Sequence, residues 1–511
     1  MAPDGILLST EERRHAAAAE LQDRTRSDLG QVFTPSRVAE FMAGLLDYSV
    51  EGTLRVLDPG AGIGSLSAAV VARAVQEGRS DPIHLDAFEI DPRLRSYLRA
   101  TLDECEHAGS AAGIAVATEL HEEDFIAWAT EEVVGSLHAT GVSYSACVMN
   151  PPYRKINNGG ADRRALERVG LRVSNLYAAF VALALGLLRP DGQLVAITPR
   201  SFANGPYFRE FREFMLRRAS IDHLHVYEKR GLVFADSDVL QENVIFRATR
   251  DGTRAAVTLS TSRGHEDVPE SRTVTYDEVV QPDDPESFIR IPIDRQDTEI
   301  AEWMASLPAT LGDLGLNVST GRVVDFRAKE HLRSELAPGC VPLVYPANLR
   351  HAGIVWPQPA SRKAQAIAST ATTASLFLPN EDYVLVKRFT SKEERRRVVA
   401  ALATPDDFPG DAVAFENHLN VFHAAGRGLD RDLAMGLACF LNSTNVDTYV
   451  RQFSGHTQIN ATDLRTLRYP SADDLIAVGR ALDGAKPEPS ASVDRLVEQH
   501  TRSPVPLPVA S

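Results

Sequence analysis

Cysteine is scarce: the 511-residue chain has four, Cys105, Cys147, Cys340 and Cys439, and no two form a CxxC pair. Such spacing supplies neither a zinc site nor a disulfide framework, and reduced thiols in a cytoplasmic protein are the expected state. Long apolar runs are also missing. Nothing approaches the roughly 18 consecutive apolar residues of a membrane-spanning helix. The amino-terminal stretch MAPDGILLSTEERRHAAAAE is polar where a secretory signal has an apolar centre, so no membrane partner is expected. Positive charge is short as well: 54 Lys and Arg face 69 Asp and Glu, a formal net charge of −15. Taken globally this argues against a polyanionic partner, but phosphate contacts need only a local basic surface. Residues 320–400 hold 13 Lys and Arg against 7 Asp and Glu. No internal repeat is evident. No His/Cys/Asp cluster argues for a metal, and no PD…(D/E)xK arrangement of metal-dependent nucleases is found.

What is present is a patterned chain, too long for one ordinary core; two domains are the natural expectation and three are allowed. Residues 1–28 read as a charged leader, helical or mobile. From about 54 to 250, short apolar runs alternate with helical periods. LRVLDPG, IHLDAFEID, YSACVMNPP, GQLVAITP and IDHLHVY read as strands; AEFMAGLLDY, SLSAAVVARAVQ, PRLRSYLRATLDECE, NLYAAFVALALGLLR and YFREFREFMLRR read as helices. The alternation predicts an α/β fold with a doubly wound, mainly parallel sheet that binds ligands at its C-terminal strand ends. The expected catalytic domain spans 29–250. Residues 251–305, partly β-rich and then loop-like before a helix near EIAEWMASL, are expected to be a connector. A mixed α+β domain is expected over 306–483, and the Pro- and Ser-rich stretch 484–511 reads as a disordered tail.

Four motifs fall at the expected strand ends. In VLDPGAGIGSL a strand ends at Asp58, and Gly60, Gly62 and Gly64 let backbone approach a ligand before a helix N-terminus opens. Such a run is shared by dinucleotide loops and by ligand-free turns. DAFEID puts Glu89 at the next strand end, where a carboxylate can accept from both hydroxyls of a ribose. In EDF, Asp124 can accept from a purine amino group while Phe125 packs on the ring. Together the three describe an adenosine pocket. The sharpest signal is NPPY, Asn150, Pro151, Pro152 and Tyr153, in which two prolines stiffen a turn after an apolar strand. An amino nitrogen on an aromatic ring is a poor nucleophile because its lone pair is delocalised. Two acceptors, the Asn150 side-chain oxygen and the Pro151 carbonyl, can draw its N–H groups out of plane, and Tyr153 can stack on the base. A plain turn capped by Asn150 is the competing reading of NPPY alone.

The set GQVFTP, DPGAGIG, FEID, EDF and NPPY resembles the adenine-N6-specific DNA methyltransferases of type II restriction–modification systems. The motif order is similar to the gamma group, and ITPRSFANGPYFREFREFMLRR, VLQENVIF, VSTGRVVDFR and SGHTQINATDLRTLRYP are similar to its PstI/BsuBI type. The resemblance implies a Rossmann-like methyltransferase sheet plus a C-terminal target-recognition domain. It implies S-adenosyl-L-methionine as cofactor and duplex DNA as partner, with flipping of the target base. Phe33, Thr34 and Pro35 would close over the methionine end and Asp58 and Gly60 would line that side; Glu89 would hold the ribose, and Asp124 and Phe125 the adenine. Phe208, with Tyr207 as rival, would complete the base sandwich; core packing competes for both. A separately acting cognate endonuclease and the site CTGCAG accompany the resemblance, and a monomer is expected because modification of half-methylated DNA needs only one strand per visit. Arg322, Arg327, Lys387, Arg388 and Lys392 are candidate phosphate contacts, whereas Arg395–Arg397 read better as a solvated helical face. SGHTQIN (454–460) suits a DNA-facing loop, unless Asn460 caps the next turn. Two other readings stand beside this one: a protein-glutamine N-methyltransferase, which also uses NPPY but lacks the FTP segment and the large second domain, and a catalytically silent DNA-binding homologue.

Overall fold

The computed structural model describes residues 3–21, 33–136, 143–228, 242–390, 394–455, 457–483 and 485–501. The chain divides into two compact units, Met1–Ile293 and Asp294–Ser511. Among the described residues no helix is long and apolar enough to cross a membrane.

The first unit is built on a nine-stranded sheet of β1 (Leu54–Pro59), β2 (Ile83–Phe88), β3 (Val116–His121), β4 (Tyr144–Met149), β5 (Leu188–Pro199), β6 (Ala219–Tyr227), β7 (Asn243–Arg250), β8 (Ala256–Ser262) and β9 (Glu270–Thr275). Their spatial order is β3-β2-β1-β4-β5-β7-β6-β8-β9. The first five strands run parallel, and β7 enters antiparallel between β5 and β6. All six β4 residues are buried, as are five of six in β1 and β2, which is why these strands read as near-continuous apolar runs. Helix Leu176–Leu187 is apolar all round and almost wholly buried. The chain order reverses between β1 and β4, so a crevice opens there at the C-terminal strand ends.

The leader takes the helical one of its two readings, and two other expectations need correction. The leader is a helix over Pro3–Glu20 with Ile6 and Ala17 buried. It is tied to helix Arg95–Ala112 by Arg13 Nη1 donating to Thr101 Oγ1 (3.1 Å) and by the Tyr97 hydroxyl donating to Glu20 (2.6 Å). The expected connector is mostly sheet: β8 pairs with β6 from His223↔Thr258 to Tyr227↔Ser262, and β9 pairs with β8. The boundary therefore falls at 293/294, and helix Arg295–Ser306 belongs to the second unit. Finally, the tail forms helix Ala491–Thr501 with Val493 and Val497 buried; residues 502–511 lie outside the described residues.

The second unit is mixed α+β. Antiparallel strands Asn317–Thr320, Leu419–His423, Tyr383–Lys387 and Ala400–Ala403 form one sheet in that order, and five short strands form another. Helices Arg431–Leu441 and Ala472–Ala481 meet closely: a Cβ on Gly436 would lie 1.8 Å from the Leu475 carbonyl oxygen. Arg395–Arg397 do not form a solvated helical face. Arg397 is 1% exposed, and its guanidinium donates to Thr390 and Ser454.

Asp494 ties the last helix to its neighbours. Its carboxylate accepts from the Thr444 amide (2.7 Å) and hydroxyl (2.8 Å) at the start of helix Thr444–Phe453. Asp494→Ala is expected to lower stability by about 1–3 kcal/mol, because buried donors lose their acceptor, seen as a lower urea midpoint at unchanged slope.

Candidate active site

The site is assembled by what leaves β1, β2, β3 and β4. After β1 the chain turns through Gly60 (φ 74°), Gly62 (φ 61°) and Gly64 (φ 87°) into helix Ser65–Gln76. Gly64 has two reasons to be glycine: its left-handed backbone, and the 2.9 Å and 3.0 Å distances a Cβ would have to Thr101 and Leu98. Glu89, just past β2, braces this turn. One carboxylate oxygen accepts from the Gly62 amide (2.8 Å) and the other from the Asp91 amide (2.7 Å). It is 4% exposed, and burial, opposed by those two bonds, raises its pKa to about 7.

Asp58, 1% exposed, accepts from the Ser67 hydroxyl at Oδ2 (2.7 Å), while Oδ1 is buried with no partner among the described residues. Burial raises its pKa to about 7 as well. Beyond β3, Asp124 Oδ1 accepts from the Ala127 amide (2.9 Å), capping the helix Phe125–Ser136. The Phe125 ring stands edge-on to Phe88 at 5.4 Å and tilted to Phe180 at 4.9 Å, forming an apolar wall. Phe33 packs with Ile63 and Leu94.

After β4 comes Asn150-Pro151-Pro152-Tyr153. Asn150 Nδ2 donates to Thr34 Oγ1 (3.1 Å), and the Tyr153 hydroxyl donates to Asn150 Oδ1 (3.0 Å) and lies 3.3 Å from the Ile197 carbonyl. Burial holds the Tyr153 phenol in its neutral form, well above its ordinary pKa. One cavity of about 150 Å³ touches the glycine turn, the β2 and β3 ends and this corner; its lining includes Phe33, Gly60, Glu89, Asp124, Phe125 and Asn150. A larger cavity of about 510 Å³, beside Phe41, His225 and Tyr227, contains none of the motif residues.

The structure thus brings Gly62 and Pro152 to the same cavity, while Thr34 and Pro35 lie just behind Asn150 and at the start of helix Ser36–Ala43. It does not place Phe208 there. Phe208 is 7% exposed and stacks on Tyr177, with ring centroids 5.4 Å apart; its neighbour Tyr207 is 82% exposed. Phe180, Ile90 and Arg154 line the cavity unforeseen. Phe180 sits in a helix apolar on every side, so no polar contrast marks it; Arg154 follows NPPY directly, and that adjacency is the signal that could have found it. Away from the cavity, His84, Asp86 and Glu119 bring potential metal-binding atoms within 4.8 Å of one another. Asp86 already meets Arg55 (3.3 Å) and His121 (3.1 Å).

A Rossmann-like sheet whose glycine turn and proline-stiffened corner share one cavity defines a methyltransferase catalytic domain, here followed by a second domain. A family model described as "Eco57I restriction-modification methylase" matches residues 99–234. The chain is 41% identical over 499 residues to type II methyltransferase M.PstI of Providencia stuartii, covering 97% of both chains. It is 42% identical over 463 residues to M.BsuBI of Bacillus subtilis, covering 89% of this chain and 90% of the relative. It belongs to the type II methyltransferases of restriction–modification systems. The fold is shared with the type IIL restriction-modification enzyme MmeI, solved in complex with DNA, at a TM-score of 0.52 and 12% identity over 91% of this chain and 71% of that one.

Gly64→Ala is expected to cost the first unit about 2–4 kcal/mol, from the left-handed backbone and the contacts its Cβ would make. A lowered urea midpoint for the loss of that unit's structure checks this.

Proposed function

We propose that this methyltransferase transfers the methyl group of S-adenosyl-L-methionine to N6 of a flipped adenine in duplex DNA. The observation that carries the reading is that Asn150, leaving β4, lines the same cavity as Gly60, leaving the adjacent parallel strand β1, and Glu89, leaving β2. The residues suit the cofactor. The buried, unpartnered Asp58 Oδ1 is an acceptor awaiting a donor such as an ammonium group. Glu89 keeps a second lone pair on each oxygen for two ribose hydroxyls, and the Phe125 wall suits a purine face. When bound, the cofactor supplies an electrophilic sulfonium methyl.

The chain's own task is to orient and activate the amino group. A base in the duplex is out of reach and must be extruded. Asn150 Oδ1 and the Pro151 carbonyl accept the two N6 hydrogens and localise the nitrogen lone pair. In the structure Asn150 Oδ1 already receives the Tyr153 hydroxyl. The incoming amino group takes over that acceptor, and the Ile197 carbonyl remains for the tyrosine proton. Tyr153 then stacks on the base. The amino nitrogen would gain the methyl group as the S–CH3 bond breaks, the electron pair staying on sulfur as a neutral thioether, and would lose one proton to solvent. Fixed orientation supplies most of the rate. DNA is read by the second unit, the chain acts as a monomer, and a cognate endonuclease acts separately on the same site.

Methyl transfer from labelled cofactor should appear in duplex DNA and not in release-factor-like peptides, and single-molecule methylome sequencing of an expressing host should show N6-methyladenine at one motif, with CTGCAG the first to inspect. Label in peptide alone sinks the proposal. Asn150→Ala should abolish transfer and leave cofactor affinity within about twofold, as expected when an interaction made only in the transition state is lost. Cofactor affinity should fall as pH drops through about 7, because protonation removes the acceptors on Glu89 and Asp58. Glu89→Gln should weaken binding and flatten that profile in calorimetric titrations.

A further inference from the structure

In the second unit, three segments leave the same end of the sheet formed by Asn317–Thr320, Leu419–His423 and Tyr383–Lys387, and a fourth joins them. Strand register sets this: Asn420 faces Thr320 on one side and Val386 on the other. The segments are stitched by backbone hydrogen bonds. Gly321 donates to Leu419 (2.8 Å), Asn417 to Val323 (2.8 Å), Arg388 to His418 (2.9 Å), and Ile459 to Arg388 (2.7 Å). Gly321 permits the crossing, since a Cβ there would lie 2.2 Å from the Glu416 carbonyl oxygen. This rigid edge gathers residues that ordinary protein surfaces keep apart. The two phenylalanines that are exposed among the described residues, Phe326 at 78% and Phe389 at 44%, are both here. Each has an arginine over its ring, Arg327 at 5.5 Å and Arg388 at 5.9 Å.

The edge is also positively charged without neutralisation. Among the described residues Arg322 donates only to the Ser375 and Phe377 carbonyls (3.1 and 3.3 Å), and Arg388 to the Asn417 carbonyl and Gln458 Oε1 (3.4 and 3.3 Å). None of Arg322, Arg327, Lys387 and Arg388 meets a carboxylate among the described residues. Elsewhere in the unit, Arg431, Arg451 and Arg480 meet Asp382, Asp447 and Asp432 at 2.6, 2.8 and 2.8 Å. The nearby acids are already engaged: Asp325 holds Lys363 (2.9 Å), and Glu416, 1% exposed, faces His418 (2.7 Å). In a chain of net charge −15, unpaired cations interleaved with exposed aromatic rings fit a polyanion that also offers planar apolar surface.

We propose that this edge is where the duplex is read. The proposal rests on the DNA reading of the function and adds the surface and its division of labour. Arg322 and Arg327 hold phosphates. Arg388, its guanidinium pre-aimed by Asn417 and Gln458, reads a base edge, as a fork-shaped donor does to guanine, and Phe389 packs on the bases beside it.

The test is fluorescence anisotropy of the full chain with two labelled duplexes, one carrying the motif found by methylome sequencing and one scrambled, across a salt series. Arg322→Ala and Arg327→Ala should weaken both duplexes alike and lower the salt slope by about 1 each. Arg388→Ala should cost the cognate duplex about 10- to 100-fold and the scrambled one far less. Arg388→Lys, which keeps the charge and the stitching backbone, should lose the preference and retain the slope. Phe389→Ala should weaken cognate binding about tenfold or more. A cognate-to-scrambled ratio within twofold of wild type in both Arg388 variants, with salt slopes unmoved in the Arg322 and Arg327 variants, overturns the edge alone. A wild-type chain that binds neither duplex overturns the DNA reading and the edge with it.

Discussion

The parallel pairing of β1 with β4 is the constraint on which the site depends. Val56 lies beside Ala146 and Leu57 beside Cys147, so the two chains emerge a strand's width apart, about 4.8 Å, and on the same rim. One enters the glycine turn and the other the NPPY corner. Neighbours in sequence could not arrange this, because parallel strands require a crossover; 84 residues separate Pro59 from Tyr144. Glu89 then fixes the turn from the third strand by holding the Gly62 and Asp91 amides, and Thr34 fixes the corner by holding the Asn150 amide. Glu89 and Asn150 are thus each braced by a hydrogen bond to a different element, so their aim does not depend on a ligand being present.

Burial sets the electrostatics of the cavity. Asp58 and Glu89 sit near neutral pKa chiefly because they are removed from water, and the neighbouring Asp91 and Asp58 carboxylates add to the rise at Glu89. Carboxylates in this condition are held in reserve: an incoming ammonium or a pair of hydroxyls restores the solvation that folding removed. Tyr153 differs: burial raises its pKa and keeps its phenol neutral. The corner and the cavity floor thus differ in kind, one neutral and geometric, the other ionisable.

Much of this was legible in the sequence, and the exceptions have physical reasons. β1, β2 and β4 announce themselves because both faces are buried, giving apolar runs that stop at the motif residues. β8 and β9 read as part of a connector because AVTLSTS is largely small and hydroxylated, and the edge strand ESRTVT leaves four of its six residues exposed. The last helix was hidden by the prolines and serines before it, although Val493 and Val497 stand one helical turn apart. Arg395–Arg397 misled because three like charges suggest solvent, whereas Arg397 is consumed by Thr390 and Ser454 inside the fold. Phe208, which the family pattern puts at the base sandwich, is 7% exposed and stacks on Tyr177. For Asn460 the modest alternative holds: Asp463 accepts from its amide at 2.7 Å, closing a turn at the start of helix Ala461–Arg465.

Among the described residues, every strand pair joins partners from the same unit, and the catalytic sheet is completed by β8 and β9 well before residue 294. A genetic crossover near that junction would therefore leave every described strand ladder with its own partners, so that either part could be exchanged without breaking a sheet.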